Sequence, residues 1–525
     1  MSSERPDTGT AAGDAPDGDT RPELGALRSR LERTLDDHRA EARDKRHARG
    51  YRTARENLAD LVDPGSFQEY GQLAVAAQRS RRDYEDLQSS TAADGIITGT
   101  CTINAARVGV GPARSAVIVN DYSVLAGTQG FFHHKKLDRL CELAERLSLP
   151  VVMFTEGGGG RPGDTDVTTQ IAGLNVESFS AWAGLSGKVP RIAVNNGYCF
   201  AGNAALFGCA DFTIATRNSW IGMAGPAMIE GGGLGKFDAT EIGPIEVQER
   251  NGVVDIVARD EAHATALARQ LLGYFQGPVA DWQVAPQTVL RELVPRDRRW
   301  AYPVRRVIET IADTGSFLEL QRIHGRSVIT GFIRLEGRPV ALIANDCQQL
   351  GGAVDSEAAE KAARFLQTVD PFGLPVLSLT DTPGFMVGPD NERQGAVRRM
   401  STLFLAGARL KAPVVAIFLR KGYGLGAMAM VGGSFLRPVY AASWPTGEFG
   451  GMGLEGAVRL GFRKELDAVK DPAERETLFQ QLVDRMYEVG KATEAASHLE
   501  IDAVIDPLDT RQVVLRALAA AGSRP

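Results

Sequence analysis

Apolar residues along the chain fall into short continuous runs that alternate with longer stretches of helical spacing. The runs are bounded by turn residues, which predicts buried strands at 116–120, 151–155, 192–195, 212–215, 340–344, 376–380 and 414–419. Helical periodicity predicts helices at 135–148, 356–368 and 394–411. Strands separated by helices predict an α/β fold with mostly parallel, buried sheets. Ligands of such sheets bind at the carboxyl ends of the strands.

The whole pattern occurs twice in the chain. Residues 63–69 read DPGSFQE and residues 313–319 read DTGSFLE, while Asn120-Asp121 returns as Asn345-Asp346. The second match has an offset of 225 residues, and the same offset relates Leu149-Pro150-Val151, Thr155 and Gly197-Tyr198 to Leu374-Pro375-Val376, Thr380 and Gly422-Tyr423. Agreement at several positions predicts two homologous domains. We place them at 23–295 and 296–525, after a flexible polar tail at 1–22.

The segment before the first repeat combines helical spacing with positive charge. Between residues 28 and 55, ten Lys and Arg residues stand against five Asp and Glu residues. Leucines recur there at helical intervals, at Leu24, Leu27, Leu31 and Leu35, and again at Leu58 and Leu61. A nucleic-acid-binding arm would fit this charge. The favoured interpretation is a basic helix over 24–62 that packs on a partner or a neighbouring subunit.

Composition and net charge limit the kinds of molecule that the protein is expected to bind. Hydrophobic residues make up 43% of the chain and charged residues 24%, and the formal net charge is −6, which argues against binding to nucleic acid or to a membrane surface. The first residues hold no apolar signal-peptide core, and the five cysteines form no CxxC pair. We therefore expect a cytoplasmic protein with reduced thiols. The 58 glycines indicate a backbone that approaches a ligand closely.

A run of four glycines follows the strand predicted at 151–155. Gly157, Gly158, Gly159 and Gly160 precede Arg161, at a point where a parallel strand gives way to the next element. Consecutive glycines cost conformational entropy, but they let main-chain N–H groups point at one spot with no Cβ atom in the way. The run therefore suits an oxyanion hole or a phosphate cradle. A surface hinge is the alternative.

A second cluster of small residues follows the strand predicted at 414–419. Residues 422–430 read GYGLGAMAM, and residues 197–203 occupy the same place in the first copy. The cluster matches a dinucleotide-binding fingerprint only in part, because Ala427 stands at the last glycine position. The run GGGLGK at 231–236 is not a P-loop, since Glu230 precedes it and Phe237 follows its lysine. Neither cluster indicates a nucleotide site.

The sequence offers few side chains in patterns typical of a metal ligand, a nucleophile, an acid or a base. His133 and His134 are adjacent and would diverge by about 100° on a helix, so we assign them to a helix surface and not to a metal site. The chain has no G-x-S-x-G elbow. Two N–H-rich junctions without a side-chain acid or base suit a reaction in which an enolate is stabilised and its proton passes to the partner substrate.

These motifs together resemble the carboxyltransferase (β) subunits of biotin-dependent acyl-CoA carboxylases, the family of propionyl-CoA, methylcrotonyl-CoA and acetyl-CoA carboxylases. The likeness covers about residues 23–520, including the duplication. It is most specific at 157–161, at DTPGF (381–385), at RKGYGLGA (420–427) and at WPTGE (444–448) with Met452-Gly453, and MAGP (223–226) is a further shared element. The resemblance implies an α/β fold of two tandem crotonase-like (ClpP/crotonase) domains with an N-terminal helical arm.

The resemblance also implies how the two copies divide the substrates. In the first domain the amides of Gly158 and Gly159 would hold the acyl-CoA thioester oxygen. In the second, the amides of Gly426 and Ala427 would hold the ureido oxygen of carboxybiotin. Carboxybiotin would release CO₂, its ureido nitrogen would take the α-proton, and the enolate would attack CO₂. The residues expected to contact the substrates are Gly157, Gly160, Arg161, Tyr423, Met428 and Ala429.

Some features depart from the family pattern or leave it incomplete. Ala429 stands where propionyl-CoA-type members often have an Asp that shapes the choice of acyl group, so the acyl-CoA stays undetermined. Gly160 stands where many relatives have Ala. Residues 427–430 look like a biotinylation sequence without its lysine. We therefore expect biotin to be carried by a partner, a biotin carboxylase/biotin carboxyl carrier (α) subunit, and coenzyme A to enter as part of the substrate.

Several alternatives stay open at this point. A transcarboxylase or a biotin-linked decarboxylase would use the same site. A hydratase with a crotonase fold would need only one acyl site and usually a carboxylate base. A non-catalytic scaffold subunit of a carboxylase complex is the non-enzymatic alternative. The resemblance further implies a homohexamer, a trimer of dimers, with each site between the first domain of one subunit and the second domain of another.

Overall fold

The chain folds around two β-sheets that follow one another in sequence. The computed structural model describes residues 21–167 and 174–522, so almost all of the tail predicted at 1–22 lies outside the described residues. The strands of the first half are β1 Gln68–Tyr70, β2 Ile96–Thr102, β3 Arg114–Asn120, β4 Val151–Phe154, β5 Arg191–Asn195, β6 Tyr198–Phe200, β7 Phe212–Thr216, β8 Trp220–Gly222 and β9 Ile256–Ala258. Seven of them form a sheet in the order β1-β2-β3-β4-β5-β7-β9, and β6 pairs with β8 separately.

The second sheet repeats this arrangement. Its strands are β10 Leu318–Leu320, β11 Val328–Leu335, β12 Arg338–Asn345, β13 Val376–Thr382, β14 Val414–Tyr423, β15 Tyr440–Ser443, β16 Glu448–Gly450 and β17 Ala503–Val504. Their order is β10-β11-β12-β13-β14-β15-β17, with β16 paired to β14. In both sheets the first two pairings are antiparallel and the remaining pairings along the order are parallel. Identical order and direction in the two halves are expected of a duplicated α/β fold.

Helices cover the faces of these sheets. In the first half they are Pro22–Glu32, Ala40–His47, Ala54–Leu61, Tyr84–Ser90, Ala105–Val108, Val110–Ala113, Phe131–Leu147, Ser178–Gly184, Gly202–Gly208, Pro226–Gly231, Ile245–Arg250, Glu261–Gly273 and Leu290–Leu293. In the second half they are Val304–Ile311, Ser356–Val369, Pro389–Arg393, Ala396–Arg409, Gly424–Met430, Leu454–Gly461, Arg463–Ala468, Pro472–Val489, Ala492–Ser497 and Thr510–Ala521. No helix among the described residues is long and apolar enough to cross a membrane.

The strands and helices predicted from periodicity are confirmed. All seven predicted strands are present as β3, β4, β5, β7, β12, β13 and β14, and the three predicted helices are Phe131–Leu147, Ser356–Val369 and Ala396–Arg409. The antiparallel strands β2 and β11 were not predicted, because a glycine interrupts the apolar run of each. Gly331 needs to be glycine since a Cβ atom there would lie 2.3 Å from the carbonyl oxygen of Leu318 on the paired strand.

The extra length of the first copy lies between β1 and β3. Residues 71–95 join β1 to β2 and include the helix Tyr84–Ser90, whereas residues 321–327 make the same connection in the second copy. A second insertion at 103–113 replaces the tight turn at 336–337. The two copies share a core, in which the Phe332 ring lies 5.5 Å from that of Phe212 and 5.0 Å from that of Tyr274, centroid to centroid.

The single basic helix expected over 24–62 is wrong, because the segment forms three helices separated by turns, Pro22–Glu32, Ala40–His47 and Ala54–Leu61. We call residues 22–61 the arm. Three of its arginines bind carboxylates of the same chain: Arg39 binds Asp121, Arg46 binds Glu156 and Arg55 binds Glu69, at 2.7, 2.8 and 3.0 Å. Part of the positive charge of the arm therefore serves to attach it to the first sheet.

Candidate active site

The glycine loop, residues 156–161, leaves β4 at the carboxyl edge of the first sheet. The Gly157 amide donates to the Tyr198 carbonyl oxygen at 2.7 Å, and the Phe200 amide donates back to the Gly157 carbonyl oxygen at 2.9 Å. These two bonds fix the start of the loop against β6. Gly158 is exposed, and its amide donates to the Ala126 carbonyl oxygen at 3.1 Å.

Gly159 is the one position of the loop at which a positive φ and a close contact both require glycine. Its φ is +89°, and a Cβ atom there would lie 2.7 Å from the Cβ of Ala201. Its amide donates to Oδ1 of Asn203 at 2.9 Å. At the exposed Gly160, in contrast, a Cβ atom would meet nothing within 4 Å. The amides of Gly158 and Gly159 both have acceptors inside the protein, so they bind an oxyanion only if it replaces or shares those acceptors.

Arg161 holds the glycine loop from inside the protein. Its guanidinium group donates to the Thr128 carbonyl oxygen at 2.8 Å and forms ion pairs with Asp94 and Asp164, and its side chain is almost entirely buried. Asp94 has a positive φ of 54°, a conformation that a non-glycine residue adopts only where its surroundings enforce it. The guanidinium group is thus held by partners inside the protein, and the contact of Arg161 with substrate stays a prediction.

The second junction begins where β14 passes into the helix Gly424–Met430. The helix leaves the amides of Gly424, Leu425 and Gly426 without acceptors in its own backbone. A Cβ atom at Gly426 would lie 2.4 Å from the carbonyl carbon of Gly384, so the helix start packs directly on the DTPGF segment. Ala427, one position further along, is fully buried.

The other residues expected at this junction differ in accessibility. Tyr423 is buried, and its hydroxyl donates to Oε2 of Glu448 at 2.8 Å, which links it to the WPTGE segment. Met428 is half-buried. Ala429 is fully buried in the core that the two copies share. Of these three residues, only Met428 offers surface to a bound molecule within one chain.

The two predicted sets of residues follow different strands of the duplicated sheet: the glycine loop follows β4, whose counterpart is β13, and the second junction follows β14, whose counterpart is β5. The glycine loop is bound by residues of the first half, and the second junction packs on residues of the second half. Within 21–167 and 174–522, no hydrogen bond or β-bridge joins the loop at 157–161 to the segment 423–429.

Sequence reasoning missed a buried carboxylate at the base of each junction. Glu156 binds both terminal nitrogens of Arg46, at 2.9 and 2.8 Å. Its counterpart Asp381, at the offset of 225, binds Arg420 at 3.0 Å and accepts a hydrogen bond from the hydroxyl of Tyr302 at 2.9 Å. The signal was present in the repeat, since both carboxylates directly follow the matched threonines 155 and 380.

Burial raises the pKa of Glu156 from 4.5 to about 7, with Glu261 and Asp121 adding to the shift and Arg46 opposing it. Because the folded pKa lies above the unfolded one, the unfolded protein loses this proton first as the pH rises. The group's contribution to stability therefore falls between about pH 4.5 and pH 7.

We expect the free energy of unfolding of the wild type, relative to Glu156→Gln, to fall by about 3 kcal/mol from pH 4.5 to above pH 7. Urea unfolding of both proteins across this range measures the difference. A difference that stays constant with pH would contradict the raised pKa.

The assignment of both adjacent histidines to a helix surface is wrong for His133. This residue lies on the inner face of Phe131–Leu147 and is fully buried, while His134 is half-buried. Burial lowers the pKa of His133 well below its usual value, so the ring is neutral. Within the part of the chain that the structure describes, no group of three or more His, Cys, Asp or Glu residues is placed to hold a metal ion.

The fold and the site define a class: a tandem α/β protein that presents main-chain N–H groups at the carboxyl ends of central parallel strands in both copies. The carboxyl transferase domain family matches residues 45–525, and the chain belongs to this family. It is 31% identical over 505 residues to the propionyl-CoA carboxylase beta chain of Roseobacter denitrificans, with 93% of this chain and 95% of that protein covered.

Two solved structures are similar along most of the chain. One is a single-chain, multi-domain long-chain acyl-CoA carboxylase, with 56% identity, a TM-score of 0.90, 95% of this chain covered and 49% of that chain, so this protein spans about half of it. The other is the hexameric transcarboxylase 12S, with 29% identity, a TM-score of 0.82 and 98% of each chain covered. These matches confirm the predicted family, the fold class and the function as the carboxyltransferase of a biotin-dependent acyl-CoA carboxylase.

Proposed function

We propose that this carboxyltransferase moves CO₂ from carboxybiotin, carried by a separate biotin carboxylase/biotin carboxyl carrier protein, to the α-carbon of an acyl-CoA. The observation that carries the proposal is that each copy places small residues and free or exchangeable amides at the carboxyl end of a central parallel strand, after β4 in the first copy and after β14 in the second. Two such junctions fit a reaction with two oxygen atoms to stabilise, and a one-substrate hydratase needs only one.

We assign the acyl-CoA to the glycine loop. Its thioester oxygen would accept from the amides of Gly158 and Gly159, which would then give up the Ala126 carbonyl oxygen and Oδ1 of Asn203 as acceptors. The exposed amide of Gly160 adjoins them. As the α-proton leaves, the thioester oxygen gains the charge of an enolate, which preorganised amides stabilise more strongly than they stabilise the neutral carbonyl.

We assign carboxybiotin to the second junction. Its ureido oxygen would accept from the amide of Gly426 and from that of Ala427, at the positive end of the helix Gly424–Met430. The C–N bond to the carboxyl group breaks, CO₂ leaves, and the ureido nitrogen takes the α-proton of the acyl-CoA. The enolate carbon then forms the new bond to CO₂. None of these reaction steps requires a side-chain base.

The acyl group that we favour is a long one. The 56% identity to about half of a single-chain, multi-domain long-chain acyl-CoA carboxylase supports it. The similarity to transcarboxylase 12S supports a second candidate activity, in which a carboxylated acyl-CoA donates its carboxyl group to biotin.

We further propose a homohexamer in which each site joins the glycine loop of one subunit to the second junction of another. The hexamer assembly of transcarboxylase 12S, which is similar along 98% of this chain, supports this proposal. Sedimentation of the active protein as a monomer would contradict it.

The function is tested with a panel of acyl-CoA thioesters and an enzymatically carboxylated biotin carrier protein as donor. We expect carboxylated product from the long-chain thioesters at a higher kcat/KM than from acetyl- or propionyl-CoA. Product only in the reverse direction, from methylmalonyl-CoA to free carrier, would favour a transcarboxylase or decarboxylase. No product in either direction from a folded oligomer would favour a scaffold subunit.

A further inference from the structure

A small cavity lies between the arm and the first sheet, beside the base of the glycine loop. Three of its lining residues stand at the carboxyl ends of adjacent parallel strands: Asn120 ends β3, Glu156 follows β4 and Asn196 follows β5. Asn57 and Arg46 close it from the arm. The cavity has room for about one water-sized particle.

Three side-chain amide oxygens of residues that line this cavity have no hydrogen-bond donor among the described residues. They are Oδ1 of Asn57, Asn120 and Asn196, and the three residues are 4%, 5% and 3% exposed. The orientation of two of them is fixed, because Asn57 and Asn196 both donate Nδ2 to the same oxygen of Glu261, at 2.6 and 3.2 Å. A buried oxygen without a partner is costly, so a cluster of three indicates that the cavity has an occupant.

The charges around the cavity do not balance. Glu156 and Glu261 are both buried, and Arg46 is the single cation bound to Glu156. Asp121, nearby, is already neutralised by Arg39 at 2.7 Å. Glu261 accepts hydrogen bonds from Asn57, from Asn196 and from the Arg52 amide, but it forms no ion pair within the part of the chain that the structure describes. One negative charge is therefore left without a bound cation when both glutamates are ionised, and a buried charge of this kind normally acquires a counter-ion or a proton.

The second copy provides a comparison inside the same molecule. Asn345, the counterpart of Asn120, accepts a hydrogen bond on Oδ1 from the amide of Asp381 at 3.2 Å. Arg420 stands at the position of Asn195 and neutralises Asp381. The equivalent oxygen is thus satisfied, and the equivalent carboxylate is matched by one cation. The unpartnered oxygens and the excess charge are specific to the first copy.

We propose that this cavity binds one monovalent cation, K⁺ or Na⁺, with Oδ1 of Asn57, Asn120 and Asn196 as ligands. A water molecule donates only two hydrogens, too few for three acceptors. A divalent ion would require more carboxylate than the cavity offers, since Glu156 is already bound by Arg46. The bound ion would join the arm to the ends of β3 and β5, on either side of the residue that begins the glycine loop. This inference does not depend on the proposed function.

The ion is tested on the full-length protein by anomalous scattering from crystals grown with Rb⁺ or Tl⁺ in place of K⁺. We expect one anomalous peak in the cavity. Thermal unfolding in KCl, NaCl and choline chloride at equal ionic strength gives a second measurement, and we expect a saturable increase of about 2–4 °C in KCl or NaCl over choline chloride. Density for a water alone, with no anomalous peak and equal unfolding temperatures, would overturn the proposal.

Two substitutions locate the effect. Asn196→Leu removes a ligand, so the difference between K⁺ and choline should disappear in this variant. Asn345→Leu makes the same change in the second copy and should keep the full difference. A cation dependence that survives Asn196→Leu, or that Asn345→Leu alone abolishes, would show that the cation acts elsewhere.

Discussion

Replacing Gly159 by alanine is expected to slow carboxyl transfer by about 10²–10³-fold, the usual cost of losing one preorganised oxyanion donor. The residue has a φ of +89°, which alanine resists, and the new Cβ atom would lie 2.7 Å from that of Ala201. The loop must shift to relieve this contact, which turns the amides of Gly158 and Gly159 away from the thioester oxygen. The rate of transfer from carboxybiotin to acyl-CoA measures the effect.

Gly160→Ala is the matched control for this variant. It adds the same methyl group one residue further along, where nothing among the described residues lies within 4 Å of the new Cβ atom. We expect a change of no more than a few-fold, with the same oligomeric state as the wild type. If both variants lost transfer activity equally, the loop would tolerate no side chain at either position. If both kept the wild-type rate of transfer, the glycine loop would have no part in the reaction.

Replacing Arg420 by methionine is expected to lower the free energy of unfolding by about 3–5 kcal/mol, because it leaves the carboxylate of Asp381 buried without its cation. Both side chains are almost fully buried, at 3% and 1% exposure. Arg420 also donates to the carbonyl oxygen of Trp300 at 2.8 Å, and the change removes this hydrogen bond as well. Chemical denaturation measures the loss, and transfer activity should fall with it, since Asp381 begins the segment that supports Gly426.

Two further variants separate the buried charge from general damage. Asp381→Asn in the Arg420→Met background removes the unpaired charge and should restore part of the lost stability. Arg291→Met breaks an exposed ion pair with Asp506 and should leave the stability nearly unchanged. If Arg291→Met were as destabilising as Arg420→Met, burial would not be the cause.

Most of the fold could be predicted from the hydrophobic periodicity and from the internal repeat. The buried strands of a parallel sheet are continuous apolar runs, so β3–β5 and β12–β14 were predictable from local sequence. The repeat at an offset of 225 residues predicted that the strands have the same order in the two sheets. The antiparallel strands β2 and β11 were hidden, because glycine in a strand is favoured only by the close approach of the neighbouring strand, which local sequence does not reveal.

The candidate site could be located from the sequence, but its internal contacts could not. The glycines at 157–160 and 424–426 lie at strand ends as the pattern required. That Arg161 faces inward to Asp94, and that Arg46 reaches Glu156, depends on residues more than 60 positions apart in the chain. Ion pairs of this kind follow from tertiary packing and leave no local signal. The same is true of the burial of His133.

The central claim is that the glycine loop and the second junction act together, on two substrates, across two subunits. Coexpression of Gly159→Ala chains with Gly426→Ala chains tests it most directly, since each variant disables one junction and keeps the other. If each site takes one junction from each of two subunits, about one quarter of the sites in a random mixture contain two intact junctions, and about one quarter of the wild-type transfer rate should return. A mixed oligomer no more active than either variant alone would contradict the account.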